Sequence, residues 1–300
     1  MSLVIVGSVA FDTIETPEDR RERIVGGSCT YSALAASFFT RPKIVGIVGE
    51  DFPKETAALM KRRGIDLKGL KIVPGGKTFY WEGRYGDDPN QRDTMRLDLN
   101  VFGDFQPNLP PSYRKPDILF LANIGPSLQE HVLSQVARPR LVAMDTIRHY
   151  IETEPESLDR VLRKTDIYFA NDEEARLMTG ERNLIRAGRL LLERGPRLVV
   201  LKKGEHGVLV FKKDSLFAFV AHPCDGVVDP TGAGDSFAGA FLGYLDRAGD
   251  FRASSIRRAA VYGSVLASFT IEDFGIERLA ALKKSDIEGR FAYLKKIASI

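Results

Sequence analysis

The sequence predicts an α/β protein with helices packed on a mostly parallel central sheet. Apolar runs of strand length recur along the 300-residue chain, namely Leu3–Val9, Lys43–Val48, Asp117–Ala122, Arg140–Met144, Asp166–Ala170 and Arg197–Leu201. Continuous apolar runs are typical of strands that are covered on both faces. Helical patterns lie between these runs, and such alternation favours parallel strands joined by crossover helices.

Three segments carry the clearest helical patterns. Ser28–Phe39 is rich in Ala, Ser, Leu and Phe, which predicts a buried helix. Pro53–Arg63 is amphipathic and stops before Gly64, whereas Asn183–Arg194 begins on a capping Asn and stops before Gly195. Asn at the start and Gly just past the end are the usual boundaries of a helix.

Residues 77–106 interrupt this alternation. The segment contains aromatic and alternating residues but no helix-length apolar face. It predicts two or three strands outside the main sheet, joined by a turn at Gly86–Asn90. These strands form either a surface hairpin or, with the segment around 12–25, a lid over a site. In a lid, Arg84, Arg92 and Arg96 would lie near the bound ligand. With no repeat or linker, residues 1–300 are expected to form one domain.

Composition excludes several classes of protein. Hydrophobic residues make up 44% and charged residues 28%, with a net charge of +3 spread over short basic clusters. Such clusters predict solvated faces and no nucleic-acid surface. The N-terminal run predicts a buried strand and no signal peptide, and no stretch is long enough to span a membrane. The two cysteines are far apart, so a reducing cytoplasm is expected.

Common cofactor motifs are missing. Gly76-Lys77-Thr78 matches the end of a P-loop motif. The motif also requires Gly at position 71, where this chain has Lys, so no P-loop is expected. No dinucleotide fingerprint follows the first strand. The four histidines have no metal-ligand spacing, so zinc is not expected, and neither cysteine has a histidine near it in sequence for thiol chemistry.

The strongest chemical signal is the string from Val228 to Gly239. A turn of small residues leads into a predicted helix, Ala233–Leu245, whose first backbone amides and dipole form an anion site. Gly232 and Gly234 have no side chain to block a phosphoryl group. Asp235, in the first turn, is placed to accept a proton from an attacking hydroxyl. The alternative is an ordinary first-turn aspartate.

The string D-P-T-G-A-G-D-S-F-A-G, which ends at Gly239, resembles the second signature of the ribokinase-like family, the PfkB carbohydrate kinases. The resemblance implies a three-layer ribokinase-like fold with a small β-sheet lid. It also implies transfer of the γ-phosphate of ATP, with Mg²⁺, to a hydroxyl group. In that family the final Asp is the catalytic base and the preceding amides form the anion hole. Asp235 is then the base, and Gly232, Ala233 and Gly234 line the hole.

Four further segments match the same family in order. Gly7–Asp12 resembles the opening strand and turn, which implies that Asp12 binds the acceptor, and Gly26-Gly27 resembles the first signature, whose backbone approaches the sugar. Asn171 and Glu174 match the N-x-x-E motif that organises Mg²⁺, with Glu174 acting indirectly. The strand-to-turn segment that contacts the nucleotide is matched by Lys202, Gly204 and Gly207. Taken singly, Asp12 suits a turn, Asn171 a helix cap, and Glu174 a solvated helix face.

The departures concern the acceptor. Tyr31 and Ala10 replace two family asparagines that would bind a ribose-like acceptor. Phe11 and Tyr31 either stack on a nucleobase or belong to the core. The first reading is a kinase of a sugar's primary hydroxyl, the second a nucleoside kinase, which the aromatic residues Phe11 and Tyr31 favour, and the third a non-catalytic ligand sensor. A monovalent cation and a homodimer through the lid are left open.

Overall fold

The computed structural model describes residues 1–298. Its strands are β1 (Leu3–Val6), β2 (Ala10–Glu15), β3 (Arg20–Gly26), β4 (Lys43–Gly49), β5 (Asp66–Val73), β6 (Phe79–Tyr85), β7 (Arg92–Asp98), β8 (Ile118–Leu121), β9 (Leu141–Met144), β10 (Ile167–Asn171), β11 (Leu198–Lys202), β12 (Val208–Lys212) and β13 (Ser215–Phe219). Its helices are α1 (Ser28–Ala36), α2 (Lys54–Arg62), α3 (Pro126–Gln135), α4 (Arg148–Thr153), α5 (Pro155–Leu162), α6 (Asp172–Thr179), α7 (Leu184–Glu193), α8 (Ala233–Ala248), α9 (Ala253–Thr270), α10 (Glu277–Ala281) and α11 (Lys284–Ile297).

The central sheet has nine strands in the order β13-β12-β11-β10-β9-β8-β1-β4-β5 within the described residues. Every pair from β11 to β5 is parallel, and only β12 and β13 run antiparallel to their neighbours. The six predicted strands all form here, and β5, β12 and β13 are additional. The prediction of a mostly parallel α/β sheet is confirmed.

Helices cover both faces of this sheet. In β1, Leu3 and Ile5 join one apolar core while Val4 and Val6 join the other. Successive residues of a strand point to opposite faces, so a run that is apolar at every position has its partners on both sides. One core contains α1, α8 and α9, and the other contains residues of α3, α5 and α7. The sheet is therefore the middle of three layers.

A separate sheet of four strands has the order β3-β2-β6-β7. Strands β2 and β6 are parallel, whereas β2 pairs with β3 and β6 with β7 in antiparallel fashion. The strands of this lid sheet end at Asp98, short of the predicted 106. Residues Asn100–Phe102 form a short 3-10 turn, and Phe102 and Phe105 pack into the main core. Because these two rings are buried in the main core, the chain leaves the lid sheet before residue 106.

Among residues 1–298, none of the helices combines the length and the apolar character that crossing a bilayer requires.

Candidate active site

The site is built at the start of α8, where the turn from Pro230 to Gly232 leads into the helix. Gly232 has φ of +76°, and a Cβ there would lie 2.4 Å from the ring of Tyr31. Only glycine accepts both this left-handed backbone and this contact at low cost. The amide of Ala233 donates to the carbonyl of Pro230 at 3.2 Å. Within the described residues, no acceptor is found for the amides of Gly232, Gly234 and Asp235.

The open amides form a cradle that is slightly shifted from the one the resemblance implied. Gly232 and Gly234 contribute as expected, the amide of Asp235 joins them, and that of Ala233 is engaged by Pro230. Unpaired amides at a helix N-terminus, reinforced by the helix dipole, are a binding site for anions such as phosphate. We refer to the amides of Gly232, Gly234 and Asp235 as the amide cradle.

Asp235 lies beside this cradle, in the first turn of α8. Its carboxylate accepts no hydrogen bond from any described residue, although its backbone carbonyl accepts one from Ser32 Oγ at 3.0 Å. Desolvation by the surrounding protein, and then the charge of Asp145, raise the pKa of Asp235 to about 7, against the opposing charges of Lys202 and Arg92. A carboxylate with a pKa near neutrality is well suited to general base catalysis.

Asp12 faces the site from lid strand β2 and is 4% exposed. Its carboxylate occupies the space next to Gly26, where an added Cβ would lie 1.8 Å from Asp12 Oδ2. Burial raises the pKa of Asp12 to about 8, and the charges of Asp229 and Asp235 add to the effect. The structure therefore brings Asp12, Gly26 and Asp235 to one region, and Gly27 precedes α1 at its edge.

Lys202 ends β11 and reaches the cradle from the sheet. A Cβ at Gly234 would lie 3.0 Å from Lys202 Nζ, and Nζ donates to Asp145 Oδ2 at 2.9 Å. The carboxylates of Asp145 and Glu174 raise the pKa of Lys202 against the desolvation of its ammonium group. A largely shielded cation thus stands directly beside the amides.

Asn171 and Glu174 form a reciprocal cap at the start of α6. The amide of Glu174 donates to Asn171 Oδ1 at 2.7 Å, and the amide of Asn171 donates to Glu174 Oε2 at 2.8 Å. The expectation that Asn171 suits a helix cap is confirmed. The alternative that Glu174 lies on a solvated helix face is wrong, because its side chain is buried. Desolvation and the charge of Asp145 raise the pKa of Glu174 to about 7.

The predicted nucleotide segment forms a tight turn after β11. Gly204–His206 is a 3-10 turn that is followed by Gly207. The tip of the lid hairpin touches this turn, since a Cβ at Gly204 would lie 2.9 Å from Asn90 Oδ1. The lid therefore extends from the Asp12 side of the site to the turn at Gly204.

The aromatic residues do not lie where nucleobase stacking requires. The ring of Tyr31 is 1% exposed and packs behind Gly232, so it supports the turn and offers no free face. Its hydroxyl has no hydrogen-bond partner among the described residues and lies within electrostatic reach of Asp12, Asp229 and Asp235, so contact of Tyr31 with the acceptor stays a prediction. Phe11 projects to the face of β2 opposite Asp12 because neighbours alternate along a strand, and Arg23 lies 4.5 Å above its ring. Stacking by either ring is wrong.

The register of β6 and β7 determines the direction in which each of the three lid arginines points. A bulge follows Glu82, after which Arg84 pairs with Asp93 and Tyr85 with Arg92. Arg84 forms an ion pair with Glu15 at 2.9 Å, and Arg96 forms one with Asp98 at 2.6 Å. Arg92 shares the site-facing side with Tyr85, whose hydroxyl is 2.9 Å from Thr231 Oγ1. Of the three, Arg92 alone is directed toward the site.

Sequence reasoning assigned no role to Asp145, Asp229 or Tyr85. Asp229 is fully buried, and its carboxylate accepts from the amides of Thr231 at 2.8 Å and Gly275 at 3.2 Å. Asp145 directly follows the predicted strand Arg140–Met144, and a polar residue at the carboxyl end of a buried strand is a usable signal. No comparable signal marks Tyr85, because its contact with Thr231 joins segments 146 residues apart.

An amide cradle, a lysine and an unpaired carboxylate beneath a lid, at the edge of a parallel sheet, define a phosphotransferase that acts on hydroxyl groups. The model of the pfkB family carbohydrate kinases matches residues 2–280. The chain belongs to this family. It is 32% identical over 254 residues to a cytidine kinase of Thermococcus kodakarensis. The alignment covers 82% of this chain and 89% of that protein.

Solved structures share the fold. A nucleoside kinase of Burkholderia thailandensis in complex with inosine superposes with a TM-score of 0.79 at 20% identity, covering 97% of each chain. A protein described as ribokinase II from E. coli, in complex with ATP and Mg²⁺, has a TM-score of 0.78 at 19% identity and covers 97% of this chain and 99% of its own. The predicted family and ribokinase-like fold are confirmed.

Proposed function

We propose that the protein is a nucleoside kinase that transfers the γ-phosphate of ATP to the primary hydroxyl of a nucleoside, with cytidine as the first candidate. The observation that carries the proposal is Asp235, whose carboxylate stands unpaired beside the amide cradle and Lys202. The ribose of a nucleoside carries the sugar hydroxyl that the sequence predicts. The likeness to a cytidine kinase favours a nucleoside over a free sugar.

Acceptor binding, proton transfer and charge stabilisation are assigned to different residues of the site. Asp12 holds hydroxyl groups of the acceptor, and Gly26 and Gly27 let the backbone approach it. Asp235 accepts the proton of the attacking hydroxyl as the O–P bond forms and the bond to ADP breaks. The amide cradle and Lys202 stabilise the negative charge of the phosphoryl group in transfer. The lid excludes water, which limits hydrolysis of ATP.

Nucleotide and metal are assigned to the opposite side of the cradle. We assign Lys202, Gly204 and Gly207 to the nucleotide, and Asn171 and Glu174 to the organisation of Mg²⁺. The buried carboxylate of Glu174 suits Mg²⁺, which keeps several waters and takes one or two carboxylates together with phosphates. Bound Mg²⁺ would offset phosphate charge.

We further propose that a monovalent cation binds near Asp229. That carboxylate is fully buried and makes no salt bridge with a side chain among residues 1–298. Desolvation raises its pKa, and a K⁺-sized ion close by would relieve that cost. We therefore expect turnover to rise when K⁺ replaces a bulky organic cation at equal ionic strength.

Cytoplasmic location and self-association complete the proposal. Both cysteines are free thiols, as expected in a reducing compartment. Residues 1–300 are proposed to act as one kinase domain. Strand β7 is an edge of the lid sheet, and Met95 and Leu97 on it are 51% and 53% exposed. An open edge with apolar side chains favours pairing with a second copy.

The test is ADP release over a panel of cytidine, uridine, inosine, adenosine, ribose and ribose 5-phosphate. A nucleoside should give the highest kcat/KM, and Asp235→Asn should lower kcat at least ~100-fold while ATP binding is kept. Preference for a free sugar would move the acceptor assignment back to carbohydrate. Ligand binding without transfer to any acceptor would support a sensor and defeat the proposal, as would near-normal turnover of Asp235→Asn.

A further inference from the structure

The ion pair of Asp145 and Lys202 lies at the carboxyl edge of the central sheet, next to the proposed phosphoryl site. Lys202 and Asn171 are partners in the register of β11 and β10, while Asp145 follows β9 on the other side of β10. Lys202 therefore crosses over the end of β10 to reach Asp145. Its side chain is 17% exposed and that of Asp145 is 6% exposed.

Asp145 is itself held firmly. Its Oδ1 accepts the amide of Thr146 at 2.8 Å, its Oδ2 accepts Lys202 Nζ at 2.9 Å, and its backbone carbonyl accepts Gln129 Nε2 at 3.1 Å. Gln129 is fully buried and also donates to the carbonyls of Leu121 and Ala122, at the end of β8. The backbone of Asp145 is thus tied to the end of β8 through Gln129, and its carboxylate is held by the amide of Thr146 and by Lys202.

Stability alone gives no reason for this pair. Burying two charges costs more than an exposed pair does, and apolar replacements of such pairs are often neutral or stabilising. Here one ammonium group also has to serve more than one acid, because the charges of Asp145, Glu174 and Asp235 all act on Lys202. These carboxylates keep the Lys202 ammonium group charged, so that it is available as a donor to an anionic group of a ligand.

The position of Lys202 Nζ identifies that ligand. Nζ lies 3.0 Å from where a Cβ of Gly234 would stand, so it adjoins an open amide of the cradle. Amides and an ammonium group that converge on one point match a phosphoryl oxygen. Without Asp145, a lysine side chain has several rotatable bonds through which to leave that point.

On the basis of the proposed kinase function, we propose that Asp145 is a positioning residue that holds the Lys202 ammonium group against Gly234, where it meets the phosphoryl group in transfer. Asp145 makes no contact with either substrate in this scheme. Its effect on the reaction passes through Lys202.

The first measurement separates kcat from KM. Lys202→Met should lower kcat about 100-fold, the scale found when one donor to a developing charge is removed. Asp145→Asn keeps the size of the side chain and should lower kcat about tenfold, with the KM for the nucleoside unchanged. Asp159→Asn is the control, because Asp159 also accepts hydrogen bonds from arginines, namely Arg163 and Arg194, but lies on α5. It should leave both constants unchanged.

The second measurement needs no turnover. Competitive acetylation of lysines by acetic anhydride at pH 8, read by mass spectrometry, reports how much of each amine is neutral. Asp145 raises the pKa of Lys202, so Asp145→Asn should lower that pKa and make acetylation of Lys202 several-fold faster. The rate at Lys43 serves as the internal reference, and Asp159→Asn should leave the rate at Lys202 unchanged.

The outcomes are distinct. A normal kcat, or an unchanged rate of acetylation at Lys202, in Asp145→Asn overturns the inference while the kinase proposal stands. A fall in kcat that equals the loss of folded protein in a thermal melt also overturns it. If the wild-type protein phosphorylates no acceptor, the proposed function fails and the positioning of a phosphoryl group fails with it.

Discussion

Asp12 and Asp235 are carboxylates whose burial costs the folded state free energy. The folded pKa of Asp12 is about 8, against an ordinary value of 3.8. A carboxyl group with a raised folded pKa contributes its full stability only at low pH. That stability is lost as the pH rises from the unfolded pKa to the folded pKa.

Asp12→Asn removes this pH-dependent cost. We expect the gain in melting temperature over wild type to be small at pH 5 and larger at pH 8, because only the wild-type side chain must be charged when folded. Asp19→Asn, at an exposed position, is the control and should show no such trend. Thermal melts at the two pH values decide the matter, and a gain that shrinks with pH would contradict the assigned pKa.

Gly232 and Gly249 provide a matched pair of residues. Both have φ of +76°, but a Cβ would meet Tyr31 at Gly232 and would meet nothing within 4 Å at Gly249. Each alanine substitution should destabilise the fold by about 1 kcal/mol from the left-handed backbone alone.

Gly232→Ala should additionally displace the turn at the amide cradle. Its kcat should fall by at least ~10-fold, since small displacements of catalytic groups are costly. Gly249→Ala should keep the wild-type kcat. Equal activities of the two variants, measured by ADP release, would show that the turn tolerates the contact with Tyr31.

Among the elements, the lid hairpin β6–β7 depends on its bulge. An extra residue in β7 shifts the pairing after Glu82, so that Arg92 lies opposite Tyr85 on the side that faces the site. Bulges commonly redirect a side chain beside an active site. The charge of Arg92 lowers the pKa of Asp12, of Glu174 and of Asp235, which places it within electrostatic reach of all three.

Arg92→Ala should therefore slow phosphoryl transfer. Removal of a lid cation near the phosphates should lower kcat/KM for ATP by about tenfold, with a weaker effect in high salt because charges on exposed side chains are screened. Arg84→Ala in the adjacent strand is the control, since Arg84 pairs with Glu15 on the other face. If both variants behave alike, the face assignment of Arg92 is wrong.

At the scale of the whole molecule, the lid leaves an apolar edge open. Met95 and Leu97, on its edge strand β7, are each more than half exposed. Exposed apolar side chains on an edge strand are avoided in chains that remain monomeric.

We expect a homodimer in solution that the substitutions Met95→Lys and Leu97→Lys convert to a monomer. Size-exclusion chromatography with light scattering gives the mass directly. Leu190→Lys, at an exposed leucine of α7, should leave the mass unchanged. A monomeric wild-type protein would remove the proposal of pairing through the lid.

The amino-acid sequence by itself determined the central sheet, the start of α8 and the family. Short, mostly apolar runs bounded by turn residues favour strands covered on both faces, and the string that ends at Gly239 specifies a turn into a helix N-terminus. These are local properties, since each depends on residues that are adjacent in the chain. The cap at Asn171 is of the same kind.

Tertiary structure decided everything that joins distant segments. The pair of Asp145 and Lys202 spans 57 residues, and the contact between Tyr85 and Thr231 spans 146. The ring of Tyr31 supports Gly232 because the packing of α1 against α8 sets its environment, which the local sequence does not show. Which face a side chain takes depends on strand register and bulges, and these are fixed by partners that local sequence does not identify.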